Sequence, residues 1–163
     1  MRVIGVDPGT RKLGWGVIEQ IGTRRRHLGH GTLVLTAESL ADRLVAIEEE
    51  LGAVIAEHQP DAGAVESIFF SKNAQSAAKL GHARGVILLL LRRAGLTIGE
   101  YPPAQVKRAI VGSGRADKRQ MAFVVKSVLG LSELPQSDAA DALAVALTHI
   151  GSTRFAVALS KSK

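Results

Sequence analysis

Three strand-like runs stand at the head of the chain before any helical periodicity begins, and this order constrains the fold more than any other feature. Residues 2–7 (RVIGVD) are β-branched and apolar, as a short buried strand requires, and Asp7-Pro8-Gly9 stops them with turn chemistry. Residues 13–20 and 27–35 read as two further strands. The polar link Gly22–Arg26 between them predicts a hairpin, and so an antiparallel meander of three strands.

Helical signals follow. Ser39 to His58 carries Leu40, Leu44, Ile47, Leu51, Val54 and Ile55 at helical spacing, and Ser39 with Asp42 resembles a capping box. Residues 62–66 (AGAVE) predict a fourth strand ending in an acid. Asn73 suits the cap of a second helix running to about Ala94, with Gly95 as its stop, and residues 96–101 predict a fifth strand. Pro103 fits the first turn of a short helix to about Val111. A basic, glycine-bearing loop at 112–116 precedes a helix capped by Asp117 and running to Leu129, and Ser137 begins one that runs to Ile150. The order β-β-β-α-β-α-β-α-α-α implies an α/β fold, a mixed sheet with helices on both faces.

Size and composition set outer limits. A mass of 17.2 kDa over 163 residues allows roughly 70% of the extended-chain surface to be hidden. That suffices for one core, so residues 1–150 are expected to form one domain, with 151–163 a loose tail. The absence of cysteine rules out disulfides, thiolate zinc sites and cysteine nucleophiles. No signal-peptide pattern opens the sequence, and its longest apolar run, Val86–Leu91, falls far short of the roughly 20 residues of a membrane span. These features predict a soluble, cytoplasmic protein with no membrane partner.

Four acids stand out by position: Asp7 and Glu66 at strand ends, Asp138 and Asp141 three apart near a helix start. Ligands of such sheets bind at the carboxyl ends of the strands. Asp7 before Pro-Gly also serves as a turn residue, and Asp138 also suits the positive end of a helix dipole. Glu66 has no such local explanation, because a strand of small apolar residues does not normally finish in an acid. Converging carboxylates repel unless a cation intervenes, and an oxygen-only ligand set favours a hard ion, Mg²⁺ or Mn²⁺. Two such ions about 4 Å apart stabilise the attacking and leaving oxygens of a phosphodiester.

The net charge of +6 hides an uneven distribution. Lys107 to Arg119 holds five bases against one acid, whereas Glu38 to Asp61 holds seven acids against one arginine. Lys72, Lys79 and Arg84 add positive charge along the second helix, while Arg24–Arg26 read as plain surface in the hairpin turn. His27, His30, His58, His82 and His149 are scattered and read as structural or exposed.

Four stretches carry a family resemblance: IGVDPGTRKLGWGVIE, AVESIFFSKNAQSAAKLGHARG, YPPAQVKRAIVGSGRADKRQM and SDAADALAVALTH. Together they span about residues 2–150 in order, and they resemble the RuvC family of bacterial Holliday-junction resolvases. The resemblance implies a ribonuclease H-like fold with a five-stranded mixed sheet. It implies Asp7, Glu66, Asp138 and Asp141 as the catalytic, metal-binding carboxylates, with Mg²⁺ or Mn²⁺, two per site. It implies water attacking phosphorus with departure of the 3′-oxygen, so that two strands of like polarity are nicked to leave 5′-phosphate and 3′-hydroxyl ends. The implied partners are a four-way DNA junction, a second copy of the chain through the 74–94 helix, and the RuvA–RuvB branch-migration complex.

The same resemblance places Lys107 and Lys118 against the phosphate backbone, with Arg108, Arg115 and Arg119 as helpers. Phe69, an aromatic three residues past Glu66, is expected to stack on a base at the junction, and Phe70, Lys72 and Asn73 extend that DNA-facing segment. Core packing is an equal alternative for Phe70. Two other enzymes share part of the pattern. An actin-like phosphotransferase matches the DPGT turn at Asp7–Thr10 but needs a second lobe, and a YqgF-like RNA nuclease is not expected to carry the FFSKN and VKRAIVGSG blocks. A binding-only junction protein would tolerate loss of the carboxylates, all four of which are present.

Overall fold

The structure is a computed structural model that describes residues 1–67, 74–114 and 116–161, with side chains as far as residue 153. Three strands open it: β1 (Arg2–Asp7), β2 (Lys12–Ile21) and β3 (Arg24–Val34). They form the expected antiparallel meander, but its hairpin is tighter than the sequence suggests. Ile21 pairs with Arg24, so only Gly22 and Thr23 make the turn, and Gly22 takes the positive φ of 58° that a two-residue hairpin favours. Arg24–Arg26 therefore belong to β3 and not to the turn, although they are exposed as expected. A register shift between Val17 and Ile18 leaves Leu28 as an extra residue in β3.

Helix α1 (Leu40–His58) begins at Ser39, whose hydroxyl accepts the Asp42 amide at 3.0 Å and donates to the Asp42 carboxylate at 2.7 Å. This caps the helix without the reciprocal backbone bond of a full capping box. Strand β4 (Ala62–Glu66), helix α2 (Ala74–Arg93) and strand β5 (Thr97–Tyr101) follow, with Gly95 at φ 79° ending the turn after α2. Helices α3 (Pro103–Val111) and α4 (Lys118–Leu129) come next, and Asp117 with Gln120 closes a full capping box on α4. The final helix α5 starts at Ser137 and continues past Ile150 to Lys161, beyond the end its sequence suggests.

The five strands lie in the order β3-β2-β1-β4-β5, with β1, β4 and β5 parallel. Period-two alternation sorts the strand residues between two cores. Val3, Ile18, Ala62 and Ala64 face α3, α4 and α5, whereas Ile4, Val6, Val17 and Val65 face α1 and α2. On the α1–α2 side the filling is bulky: Ile47, Leu51, Ile87 and Leu91 are wholly buried. On the other side α5 lies almost on the backbone. A Cβ at Gly5 would overlap the Ala142 carbonyl, one at Gly14 the Asp138 carbonyl, and one at Gly16 the Leu143 side chain. Helix α2 buries one stripe, Ala83, Ile87 and Leu91, while Leu89 is 55% exposed.

Candidate active site

The alternation that builds the core also aims the acids. Asp7 follows Val3 and Gly5 on the α5 face of β1, and Glu66 follows Ala62 and Ala64 on the same face of β4. The strands are parallel neighbours with Val6 beside Val65, so the two carboxylates emerge side by side at the carboxyl end of the sheet. The close approach of α5 brings Asp141 to the same place. Asp7, Glu66 and Asp141 line one cavity of about 210 Å³, with Lys107 of α3 and Lys118 of α4 on its rim and Pro103, Val106 and Met121 as an apolar wall.

Electrostatics report how crowded this negative charge is. Burial is the largest influence on Asp7. With the nearby charges of Glu66 and Asp141, and with Asp138 adding less, it pushes the Asp7 carboxyl up to about 8 in spite of Lys118. Burial and the charge of Asp141 likewise raise Glu66, partly offset by its hydrogen bond with Asp7 and by Lys118 and Lys107. Lys118 is raised in turn, because its Nζ donates to the Asp141 carboxylate at 3.1 Å. The lysine thus supplies the one positive charge in direct contact with the acids among the described residues.

This donor set suits a hard divalent cation. Every acid ligand is an oxygen, the group carries surplus negative charge, and His149 is turned away: its Nδ1 shares a 2.9 Å hydrogen bond with the Tyr101 hydroxyl inside the core. Among the described residues no three acids or histidines are yet drawn together closely enough to chelate an ion. The carboxylates share a cavity, and Lys118 holds Asp141 within it.

The other expected site residues divide into three groups. Asp138 stands in the first turn of α5, close enough for its charge to act on Asp7 and Lys118, but it does not line the cavity. Arg108 and Arg119 are exposed and outside it, the guanidinium of Arg119 lying 5.8 Å above the Phe123 ring. Phe69, Phe70, Lys72, Asn73 and Arg115 lie outside the described residues. Of the bases expected along α2, Lys79 is exposed, but Arg84 is ion-paired with Glu100, which removes its charge from any free positive track. The sequence reading missed Pro103, Val106 and Met121 as a cavity wall, since nothing in helical spacing says which apolar residue lines a pocket. It also missed Gly5, Gly14 and Gly16, which an alternating glycine pattern on one strand face could have revealed.

Residues 3–149 match the sequence model of the family described as crossover junction endodeoxyribonuclease RuvC. The chain belongs to the RuvC family. RuvC of Sorangium cellulosum is 60% identical over 99% of this chain and 91% of its own length. Among solved structures, Thermus thermophilus RuvC superposes with a TM-score of 0.85 at 38% identity, covering 96% of this chain and 97% of that one. The same Thermus protein in complex with Holliday junction substrate gives 0.89 at the same identity, over 96% of both chains. The five-stranded mixed sheet is thus that of the RuvC endonucleases, as the resemblance implied, and the match selects RuvC over the actin-like and YqgF-like alternatives.

Proposed function

We propose that this protein resolves four-way DNA junctions, nicking two symmetric strands of like polarity by phosphodiester hydrolysis in the service of recombination and repair. The observation that carries the reading is the cavity in which Asp7, Glu66 and Asp141 crowd on a buried sheet end beneath Lys107 and Lys118. Asp7, Glu66 and Asp141, with Asp138 beside them, would hold Mg²⁺ or Mn²⁺. Bound there, such ions supply an activated water and stabilise the departing 3′-oxygen.

The chain's own residues do the rest. Lys107 and Lys118 meet the phosphates flanking the scissile bond, and Pro103, Val106 and Met121 keep bulk water from the carboxylates. Lys118 exchanges its bond to Asp141 for one to phosphate when DNA arrives, so the acids turn from the ammonium to the cation they are built to hold. On this reading Arg108 and Arg119 extend the basic track, and Arg115, Phe69, Phe70, Lys72 and Asn73, which lie outside the described residues, are assigned to DNA by the resemblance alone.

Two nicks need two sites, and helix α2 is the surface we assign to the partner copy. Its buried stripe serves the monomer, while Leu89 is exposed and a Cβ at Gly81 or Gly85 would meet nothing within 4 Å. RuvA and RuvB are the further partners this reading implies, acting on bacterial DNA in the cytoplasm. None of the described helices is long and apolar enough to cross a membrane.

The test is a labelled four-way junction incubated with the protein, with and without Mg²⁺ or Mn²⁺, and the nick positions mapped. Paired nicks at symmetric positions, dependent on the cation and sealable by ligase, are expected. Binding without cleavage in either metal would overturn the reading.

A further inference from the structure

Among the described residues, Arg43 is the one buried arginine. It is also the single arginine among the seven acids between Glu38 and Asp61, yet it pairs with none of them. Its guanidinium instead donates to three main-chain carbonyls. Nε reaches Ser39 at 3.3 Å, one terminal nitrogen reaches Glu38 at 3.3 Å, and the other reaches Thr10 at 2.9 Å. Two of these bonds tie down the segment that leads into α1. The third crosses to the turn that follows Asp7.

That placement is costly. A cation in the first turn of a helix sits at the positive end of the helix dipole, and a buried guanidinium without a carboxylate has only carbonyl dipoles to offset its desolvation. An ordinary helix position would be better served by an apolar side chain. What Arg43 provides is a rigid strut between α1 and the Pro8–Thr10 turn. The turn is already tight, since a Cβ at Gly9 would overlap the Lys12 carbonyl. Its far end is fixed where the Leu35 amide donates to the Arg11 carbonyl at 2.9 Å. Between those points the Arg43 bond to Thr10 is the described contact that holds the turn from the α1 side. The Asp7 carboxylate leaves the chain three residues earlier, on the opposite face of the sheet.

We infer that Arg43 is a positioning residue for the metal-binding carboxylate of Asp7, fixing the Pro8–Thr10 turn through its hydrogen bond to the Thr10 carbonyl. The inference rests on the proposed nuclease reading. Without the strut the turn shifts away from α1, and Asp7 loses its alignment with Glu66 and Asp141. Residues that orient metal ligands from outside typically cost about 10- to 100-fold in metal affinity or activity when removed.

The test uses full-length protein with Arg43→Met, which keeps the volume and removes the donors, and Arg43→Lys, which keeps the charge and one donor. Mn²⁺ binding to the DNA-free protein is followed by electron paramagnetic resonance, and junction binding is measured without metal. The Mn²⁺ dissociation constant is expected to rise about tenfold or more in Arg43→Met and less in Arg43→Lys, with junction affinity within about twofold of the parent. A purely structural strut would lower the melting temperature of both variants and leave the Mn²⁺ constant of the folded fraction unchanged, which would overturn the inference. If Arg43→Met does not fold, Arg43→Lys decides alone: an unchanged Mn²⁺ constant sinks the inference and a raised one supports it. Failure of the parent protein to cleave a junction would instead fall on the nuclease reading.

Discussion

The two faces of the sheet are packed on opposite principles. Toward α1 and α2 the strands present Ile4, Val6, Leu13 and Val17 to Ile47, Leu51, Ile87 and Leu91, large side chains whose small readjustments are cheap. Toward α5 the strands present Gly5 and Gly14 to the helix backbone itself and Gly16 to the Leu143 side chain, with Ala139, Ala140, Ala142 and Ala144 buried along the helix. The difference follows from where the acids are. Asp7 and Glu66 come from strands on the α5 face, Asp138 and Asp141 come from the helix, and short side chains can converge only if helix and sheet are nearly in contact. One face provides stability, and the other sets a distance.

The sharpest way to test that division is to remove charge without moving the backbone. Asp7→Asn is expected to lower junction cleavage by at least about 10³-fold, on the order of 4 kcal/mol of barrier, with junction binding within about twofold. Cleavage near the parent rate would break the claim that the α5 face exists to assemble the carboxylates.

Next in size comes distance. In Gly14→Ala the new Cβ would enter the space of the Asp138 carbonyl, so the start of α5 must retreat. Overpacking of this kind costs about 1–3 kcal/mol of stability, and a displacement near 1 Å at a reacting centre costs about 10²-fold in rate. Leu51→Ala, on the other face, removes a wholly buried side chain and is expected to cost about 2–5 kcal/mol of stability. Its rate per folded molecule should stay within about twofold of the parent. Chemical unfolding and single-turnover cleavage of both variants read the contrast, and equal rate losses would erase the distinction between the faces.

How much of this was legible in the sequence depends on whether the signal was local. Strand and helix order followed from alternation, apolar spacing and caps such as Ser39 and Asp117, because those signals act within a few residues. The hairpin boundary was misplaced because three arginines look like a loop, although the exposed end of a meander strand tolerates them. The last helix extends beyond the expected end at Ile150: a chain terminus reads as loose, yet α5 continues through the apolar Phe155–Leu159 stretch to Lys161. Asp7, Glu66 and Asp141 were visible as acids at strand and helix ends, and the structure gathers them in one cavity. Arg84 and Arg43 were not legible, since their partners, the Glu100 carboxylate and the Thr10 carbonyl, are distant in sequence and only the fold brings them together.

The smallest expected effect concerns what the crowded carboxylates cost the fold. An unfolded Asp7 titrates near 3.8, whereas in the metal-free fold it is pushed to about 8, chiefly by burial and then by Glu66 and Asp141. Between those values the folded protein keeps a proton that the unfolded chain has released. Stability from this group is therefore complete below the unfolded value and is lost as pH rises through about 8. Asparagine cannot ionise and escapes that loss. Without metal, Asp7→Asn should melt a few degrees above the parent protein at pH 8, and the gap should close as pH falls toward 4. Saturating Mg²⁺ should narrow the gap at pH 8, because the cation stabilises the parent fold that binds it more than the variant. Differential scanning calorimetry across that range decides the matter. A gap that ignores pH would mean that Asp7 is not held protonated by its neighbours, and that the α5 face bears no electrostatic cost for bringing the acids together.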